Sequence, residues 1–353
     1  MRSILSILFL INILYSQDCS ADEVEIWGLC YSIENTTILQ NNDNTYGEIP
    51  DVVCDLVNLE TLDLSVMWAE TNYVTSEIPE CIDNLENLTY LNLSWNQIYG
   101  EIPASIGNLT SLTHLNLLSN QLTGEIPENI GNLINLTYLN LGLNYFYGEI
   151  PESIGNLIEL EEFYITDNQF TGSLPESIGN LTELTIISMF DNQLNGSIPE
   201  SIGSLTNLTS FNVGANQLSG QIPESIGNLI NLNRLWLSYN NLSGPIPESI
   251  CNLNDLMWSG EWINGDYSYL NDNNLCPEYP ECIAYNIGWQ NTNDCPEFEI
   301  GDANNDYEIN ILDIITIVNL ILINTYDELA DINEDSLVDI LDIMLLVNWI
   351  IED

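Results

Sequence analysis

L-T-H-L-N-L-L-S-N-Q-L-T-G-E-I-P-E-N-I-G-N-L, residues 112–133, is one copy of a pattern that the chain repeats with a period of 24 residues. Its proline recurs at 79, 103, 127, 151, 175, 199, 223 and 247, each time opening a variant of P-E-S-I-G-N-L. A period that strict specifies a solenoid, in which every turn buries its apolar edge on its neighbours. Within each turn the x-L-x-L-x segment predicts a short strand whose leucines point inward and whose alternate residues line an outward, concave face. The asparagine that follows, Asn96, Asn120, Asn144, Asn168, Asn192, Asn216 or Asn240, predicts a ladder of side-chain amides bonded to the backbone of the turn and the adjacent coil. A second ladder, Glu80, Glu128, Glu152, Glu176, Glu200, Glu224 and Glu248, follows the prolines. With ~4.8 Å between consecutive turns it predicts a solvated acidic edge, loose cation binding being the alternative.

The full pattern L-x-x-L-x-L-x-x-N-x-L-x-G-x-I-P, complete over 112–127, is that of a leucine-rich repeat. The wording G-x-I-P-x-x-I-G-N-L resembles the plant-specific class found in receptor-kinase ectodomains and secreted pectinase inhibitors. The resemblance covers 58–252, and Trp27-Gly28-Leu29-Cys30 resembles the cap motif of the same class. It implies a mainly β and irregular solenoid with parallel strands on a concave recognition face.

Only Arg2 and Arg234 are basic against 53 acidic residues, a formal charge of −51. Such a chain lacks the Lys and Arg that phosphates and anionic membrane surfaces require, and it suits divalent cations. The apolar run over 4–14 predicts a signal peptide within 1–17, too short to span a bilayer, and hence a secreted or cell-surface protein. Eight cysteines fall in two groups, Cys19, Cys30, Cys54 and Cys81, then Cys251, Cys276, Cys282 and Cys295, which is a disulfide layout. Four cysteines allow three connectivities. Cys54 and Cys81 follow successive prolines and are expected about one turn apart, which leaves Cys19 with Cys30. The predicted divisions are an N-terminal disulfide cap at 18–57, the solenoid at 58–252 with five extra residues within 66–76, a C-terminal disulfide cap at 253–296 and a separate tail at 297–353.

The tail carries one loop pattern twice. Asp302, Asn304, Asp306, Asn310 and Asp313, then Asp331, Asn333, Asp335, Asp339 and Asp342, place oxygen ligands at positions 1, 3, 5, 9 and 12 of an EF-hand-type calcium loop. Glu308 and Leu337 at position 7 would lend backbone carbonyls. Two copies 29 residues apart, opening apolar helices at 311–323 and 340–351, resemble a dockerin module over 299–353. The resemblance implies a small all-α domain folded around two calcium ions that docks onto a cohesin-like partner. Position 6 is Tyr307 or Ser336 where glycine is usual, so a strained turn is expected. Positions 10 and 11, partner-contacting in dockerins, are Ile311-Leu312 and Ile340-Leu341 in place of small hydroxyl residues, and are expected to stay exposed as a docking patch. The alternative is that this apolar surplus packs back onto the C-terminal cap.

Catalysis finds little support. His114 is the sole histidine and has no relay partner in view, and the repeat-register glutamates are equivalent where a glycosidase needs two fixed carboxyls with one raised pKa. The outward positions that break the repeat are better placed for recognition: Tyr90, Trp95, His114, Tyr138, Tyr164, Phe190, Arg234, Trp236 and Tyr239, interleaved with Asn92, Asn116, Asn140 and Asn212. Aromatic faces bury area cheaply and amides fix orientation, which suits sugars, peptides or protein surfaces. The expected function is a binding protein attached through its calcium-dependent tail. The alternative is a component of a polysaccharide-degrading assembly, as targeting subunit or carbohydrate-active enzyme.

Overall fold

The computed structural model describes residues 19–41, 47–66, 73–256, 258, 268–277, 279–284, 286–293, 295, 300–304, 309–323, 325–333 and 335–352. The expected signal peptide and most of the five-residue insertion lie outside these. A parallel sheet of nine three-residue strands runs from Ile38–Gln40 through Tyr90–Asn92, His114–Asn116 and Tyr138–Asn140 to Arg234–Trp236, each strand beside its sequence neighbour. Pairing is in phase with the repeat, so Tyr90 lies opposite His114 and His114 opposite Tyr138. Equivalent residues of successive turns therefore form straight rows. The central residue of each strand, leucine in six and Phe163, Ile187 and Phe211 in the others, is buried; from the second strand onward so is the apolar residue two positions on, and Phe146 and Phe170 fill the same continuous core.

After each strand from Tyr90–Asn92 to Arg234–Trp236 the chain turns through a residue of positive φ and meets the asparagine ladder. Asn144 is representative: its Oδ1 accepts the N–H of Leu122 at 3.0 Å, and its Nδ2 donates to the carbonyls of Leu117 (2.9 Å), Leu141 (3.2 Å) and Gly142 (3.0 Å). The carbonyl of Leu117 belongs to the preceding turn, so each rung ties two repeats together. The ladder continues where the sequence pattern is faint. Asn273 bonds Leu242 N and Leu237 O, and Gln290 takes the next rung, accepting from Leu275 N and donating to Leu270 O. The sheet edge continues too: Tyr269 bridges Trp236, so the repeat that dissolves after 256 resumes at 268–275.

On the convex side each proline begins a five-residue 3₁₀ helix, nine among the described residues. In the 151–157 copy, Ile154 N–H donates to Pro151 O (3.0 Å) and Leu157 N–H to Ile154 O (3.1 Å), which turns both apolar side chains into the core. Proline suits the start because its missing N–H would have no partner there. The glycine of I-G-N-L is required by packing: a Cβ on Gly155 would lie 2.4 Å from Ser177 Cβ and 2.6 Å from the Ser177 carbonyl oxygen of the next turn. Gly155→Ala is expected to destabilise the protein by about 1–3 kcal/mol through overpacking, read as a lower midpoint in urea.

Disulfides hold both ends. The hairpin of Glu23–Ile26 with Leu29–Ser32 buries Ile26 on the first turn, braced by Cys19–Cys30, and Cys54–Cys81 joins the first two 3₁₀ helices. At the far end Cys251 pairs with Cys282 and Cys276 with Cys295, a connectivity that spacing left open.

The tail has its own core of Ala303, Ile317, Ala330, Ile332 and Leu346, to which helices α1 (Ile311–Ile323) and α2 (Ile340–Glu352) contribute facing sides. Both helices begin in the same way. Asn310 and Asp339 accept the N–H of the second helical residue, Leu312 and Leu341, at 2.8 and 2.7 Å. Asp313 and Asp342 reach back to accept the N–H of Asn310 and Asp339, each at 2.8 Å, completing reciprocal capping boxes.

Candidate functional site: the concave face and the tail loops

In-register parallel strands set equivalent side chains ~4.8 Å apart, so aromatic residues on consecutive turns must stack. Tyr90, His114 and Tyr138 do so, with ring centroids 4.3 and 4.2 Å apart and interplanar angles of 8° and 11°. Tyr164 stands on the other outward position of the next strand, tilted at 47° and 5.7 Å from Tyr138. Amides and a carboxylate hold the rings. Asn140 Nδ2 donates to the Tyr138 hydroxyl at 3.0 Å and Asn92 Nδ2 to that of Tyr90 at 3.4 Å, while Tyr164 Oη donates to Glu162 Oε2 at 2.6 Å. Burial between two tyrosines pushes His114 below the ordinary histidine range, opposed by the charges of Asp63 and Glu162, so the imidazole is neutral at pH 7. Burial, then the bond to Glu162, pushes the Tyr164 hydroxyl up.

Arg234 and Trp236 occupy the two outward positions of the ninth strand, and Phe190 follows the strand Ile186–Ser188, against the backbone of Gly214. Trp95 and Tyr239 differ from the expectation. Both are exposed, but they stand three residues beyond their strands, at the positive-φ turn position (φ 61° and 56°). The alternation of a strand no longer governs there, and counting by twos past its end misplaces them. The same turn row holds a pair that the sequence reading overlooked: Asp167 and Asp191, φ 54° each, side by side on consecutive turns, with Asn168 N–H donating to the Asp191 carbonyl at 3.2 Å. Burial, then the neighbouring Asp191 charge, raises the Asp167 carboxyl above its ordinary range. The signal was the 24-residue spacing of two aspartates in a row otherwise filled by Ser119, Leu143 and Ala215. Also missed were Tyr99, Tyr145 and Tyr147, exposed on the short strands that follow the turn.

The proline-following glutamates are exposed at the starts of the 3₁₀ helices, and those of Glu152 and Glu200 accept the N–H of Ser177 and Ser225 in the next turn. With Glu77 of S-E-I-P and Glu101, Glu125 and Glu149 of the G-E-I-P segments they rim shallow, open grooves along this edge.

In the tail, Asp313 and Asp342 are fully buried, and Asp302 and Asp331 nearly so. Asp342 Oδ1 accepts the N–H groups of Ile332 and Asn333 across the loop; Asp331 accepts those of Asp335 and Ser336. Ser336 at position 6 has φ 68°, the left-handed conformation that glycine usually supplies. Asp306 and Glu308 lie outside the described residues, and among the described residues no three His, Cys, Asp or Glu side chains are arranged to hold a metal ion. The donor set still fits calcium. Every candidate ligand is a hard oxygen, buried carboxylates accumulate in each loop, and 297–353 contains no Lys, Arg or His to neutralise them. Ile311, Leu312, Ile340 and Leu341 are 67, 51, 61 and 50% exposed, too open for a surplus packed onto other parts of the chain.

Seven segments, from 87–109 to 231–253, match the Leucine Rich Repeat family, and 300–351 match the Dockerin type I domain. The chain is a leucine-rich-repeat solenoid followed by a dockerin type I domain, a calcium-binding module. No curated protein matches it. Among solved structures, the plant peptide hormone receptor RGFR1 in complex with RGF2 is similar at 37% identity and a TM-score of 0.60, over 65% of this chain and 35% of the receptor chain. The Arabidopsis receptor kinase HAESA, in complex with the peptide hormone IDA and the co-receptor SERK1, is 34% identical with a TM-score of 0.60, over 69% of this chain and 39% of its own. A plant ice-binding protein is 25% identical with a TM-score of 0.57, over 77% of this chain and 88% of its own. This chain thus spans well under half the length of those receptor chains.

Proposed function

We propose that this is an extracellular binding protein whose concave face recognises a peptide, protein or glycan and whose tail, holding two calcium ions, attaches it to a cohesin-like partner. The carrying observation is the row Tyr90, His114, Tyr138, extended by Tyr164: aromatic rings at outward strand positions, fixed by stacking and by hydrogen bonds with Asn92, Asn140 and Glu162. Rigid rings lose little freedom when a ligand covers them. Four disulfides suit an oxidising compartment, and among the described residues no helix is long and apolar enough to cross a membrane. The peptide-hormone receptors among the similar structures support a ligand-binding solenoid. In this reading 18–57 and 253–296 serve as end caps, Asp302, Asn304, Asp306, Asn310 and Asp313 with their counterparts in the second loop hold the ions, and Ile311, Leu312, Ile340 and Leu341 meet the partner.

The concave assignment is tested by Tyr138→Ala, Tyr164→Ala and Trp236→Ala combined, applied to peptide and glycan arrays. All three side chains are half-buried and none lies in the main core, so the expected result is loss of array signal with a thermal midpoint close to wild type. Equal signal from both proteins would place recognition elsewhere.

A further inference from the structure

We infer that Tyr326 is a positioning residue for the second calcium loop: its hydroxyl fixes the carboxylate of Asp331, the first ligand of that loop, and makes this the tighter of the two sites in the tail. This rests on the reading of both loops as calcium sites. Tyr326 lies in the connection between α1 and the second loop. As α1 ends, Thr325 N–H donates to Leu320 O at 3.0 Å. Asp327 Oδ1 then accepts the N–H of Leu329 at 2.9 Å and of Ala330 at 3.4 Å, a side-chain turn that brings the chain round to Asp331. The Tyr326 hydroxyl stands 3.1 Å from Asp331 Oδ2 and donates to it. The side chain is 54% exposed, so it fills no core position, and this bond is what the hydroxyl does.

A carboxylate offers about four lone-pair sites, two on each oxygen. On the buried Asp331, Oδ2 receives both the Tyr326 hydroxyl and the N–H of Ser336 (2.7 Å), while Oδ1 receives only the N–H of Asp335 (3.0 Å). Oδ2 is thereby filled, and the lone pair left for an ion is on Oδ1. The hydroxyl thus selects which oxygen meets the metal and holds the carboxylate against rotation, which is how a partner behind a ligand raises metal affinity. The first loop differs. The 29-residue repeat places Glu297 at the sequence position that corresponds to Tyr326, and a carboxylate has no hydrogen to donate to Asp302. The second loop is therefore the one that fills first.

The test is isothermal titration of calcium into the metal-free full chain, as wild type, Tyr326→Phe, Asp331→Ala and the last two combined, in about 0.1 M NaCl to screen the acidic solenoid. Tyr326→Phe removes one hydroxyl and no charge, so the loose attraction of cations to a chain of charge −51 is the same in both proteins. Wild type is expected to show two sites of unequal affinity. In Tyr326→Phe the tighter site is expected to weaken about tenfold or more and the other to stay within about twofold. Added to Asp331→Ala, Tyr326→Phe is expected to change nothing further, because the tyrosine acts only through Asp331. Helical circular dichroism at saturating calcium is expected to be equal in wild type and Tyr326→Phe. Two equal sites in wild type, unchanged affinities in Tyr326→Phe, or the same loss with and without Asp331 overturn the inference while the calcium reading stands. Loss of helicity in Tyr326→Phe at saturating calcium makes the tyrosine a folding residue and overturns it as well. Wild type that takes up no calcium at millimolar concentration overturns the calcium reading and the inference with it.

Discussion

Chelating calcium is expected to unfold the C-terminal helix pair while leaving the solenoid folded. The tail brings Asp302, Asp313, Asp331 and Asp342 into buried positions and supplies no cationic side chain of its own. Buried carboxylates without a counter-charge oppose folding, so metal binding and folding of such a module are one equilibrium. Its core is also small: five buried residues with partly buried neighbours, and helices of 13 residues each. Helices of that length are marginal alone. Adding EGTA to the full chain should therefore remove nearly all the α-helical circular dichroism, and titrating calcium back should restore it with two ions bound per chain. Asp313→Ala with Asp342→Ala should abolish the recovery, because each residue both faces its loop and closes a capping box. A helical signal indifferent to chelation would mean that the tail folds on its hydrophobic core alone.

Asn144→Ala is expected to cost more than any single surface change in the solenoid. It leaves the N–H of Leu122 without its acceptor and the carbonyl of Leu117 without its side-chain donor, both in the buried turn. Each unsatisfied buried group costs about 1–3 kcal/mol, so a loss of about 2–6 kcal/mol is expected, visible as a lower urea midpoint. Asn144→Asp should be nearly as damaging, since a carboxylate accepts the Leu122 N–H but cannot donate to Leu117, Leu141 and Gly142. Removing one rung also loosens the junction between two turns, so hydrogen exchange should accelerate on both sides of 144. A midpoint shift no larger than that of an exposed Asn135→Ala would show that the ladder is not what joins the repeats.

The solenoid was legible because its physics is local and repeated: one 24-residue turn contains its strand, its amide rung, its proline-started 3₁₀ helix and its tightly packed glycine. The tail helices were legible for a related reason, since loop spacing and the Asn310/Asp313 and Asp339/Asp342 caps mark both starts in the sequence. What escaped depends on contacts between turns. Gln290 completes a rung with a longer side chain at a position no consensus marks, and Asp167 faces Asp191 only because two turns of the chain coincide in space. Trp95 and Tyr239 left the strand face because a positive-φ residue redirects the chain just where alternation was still being counted. The stack of His114 between two tyrosines follows from register, and its half-buried, neutral state from the neighbours on either side.

The central claim is a two-ended protein, with recognition on the solenoid and calcium-dependent attachment at the tail. Its most direct test is surface plasmon resonance of the full chain over immobilised type I cohesin domains, with millimolar calcium and then with EGTA, alongside Ile311→Asp combined with Ile340→Asp. The account predicts binding in calcium, release on chelation, return when calcium is restored, and loss in the double variant with calcium-induced helicity retained. Binding that persists in EGTA, or no binding to any cohesin while the calcium-loaded tail is folded, would contradict it.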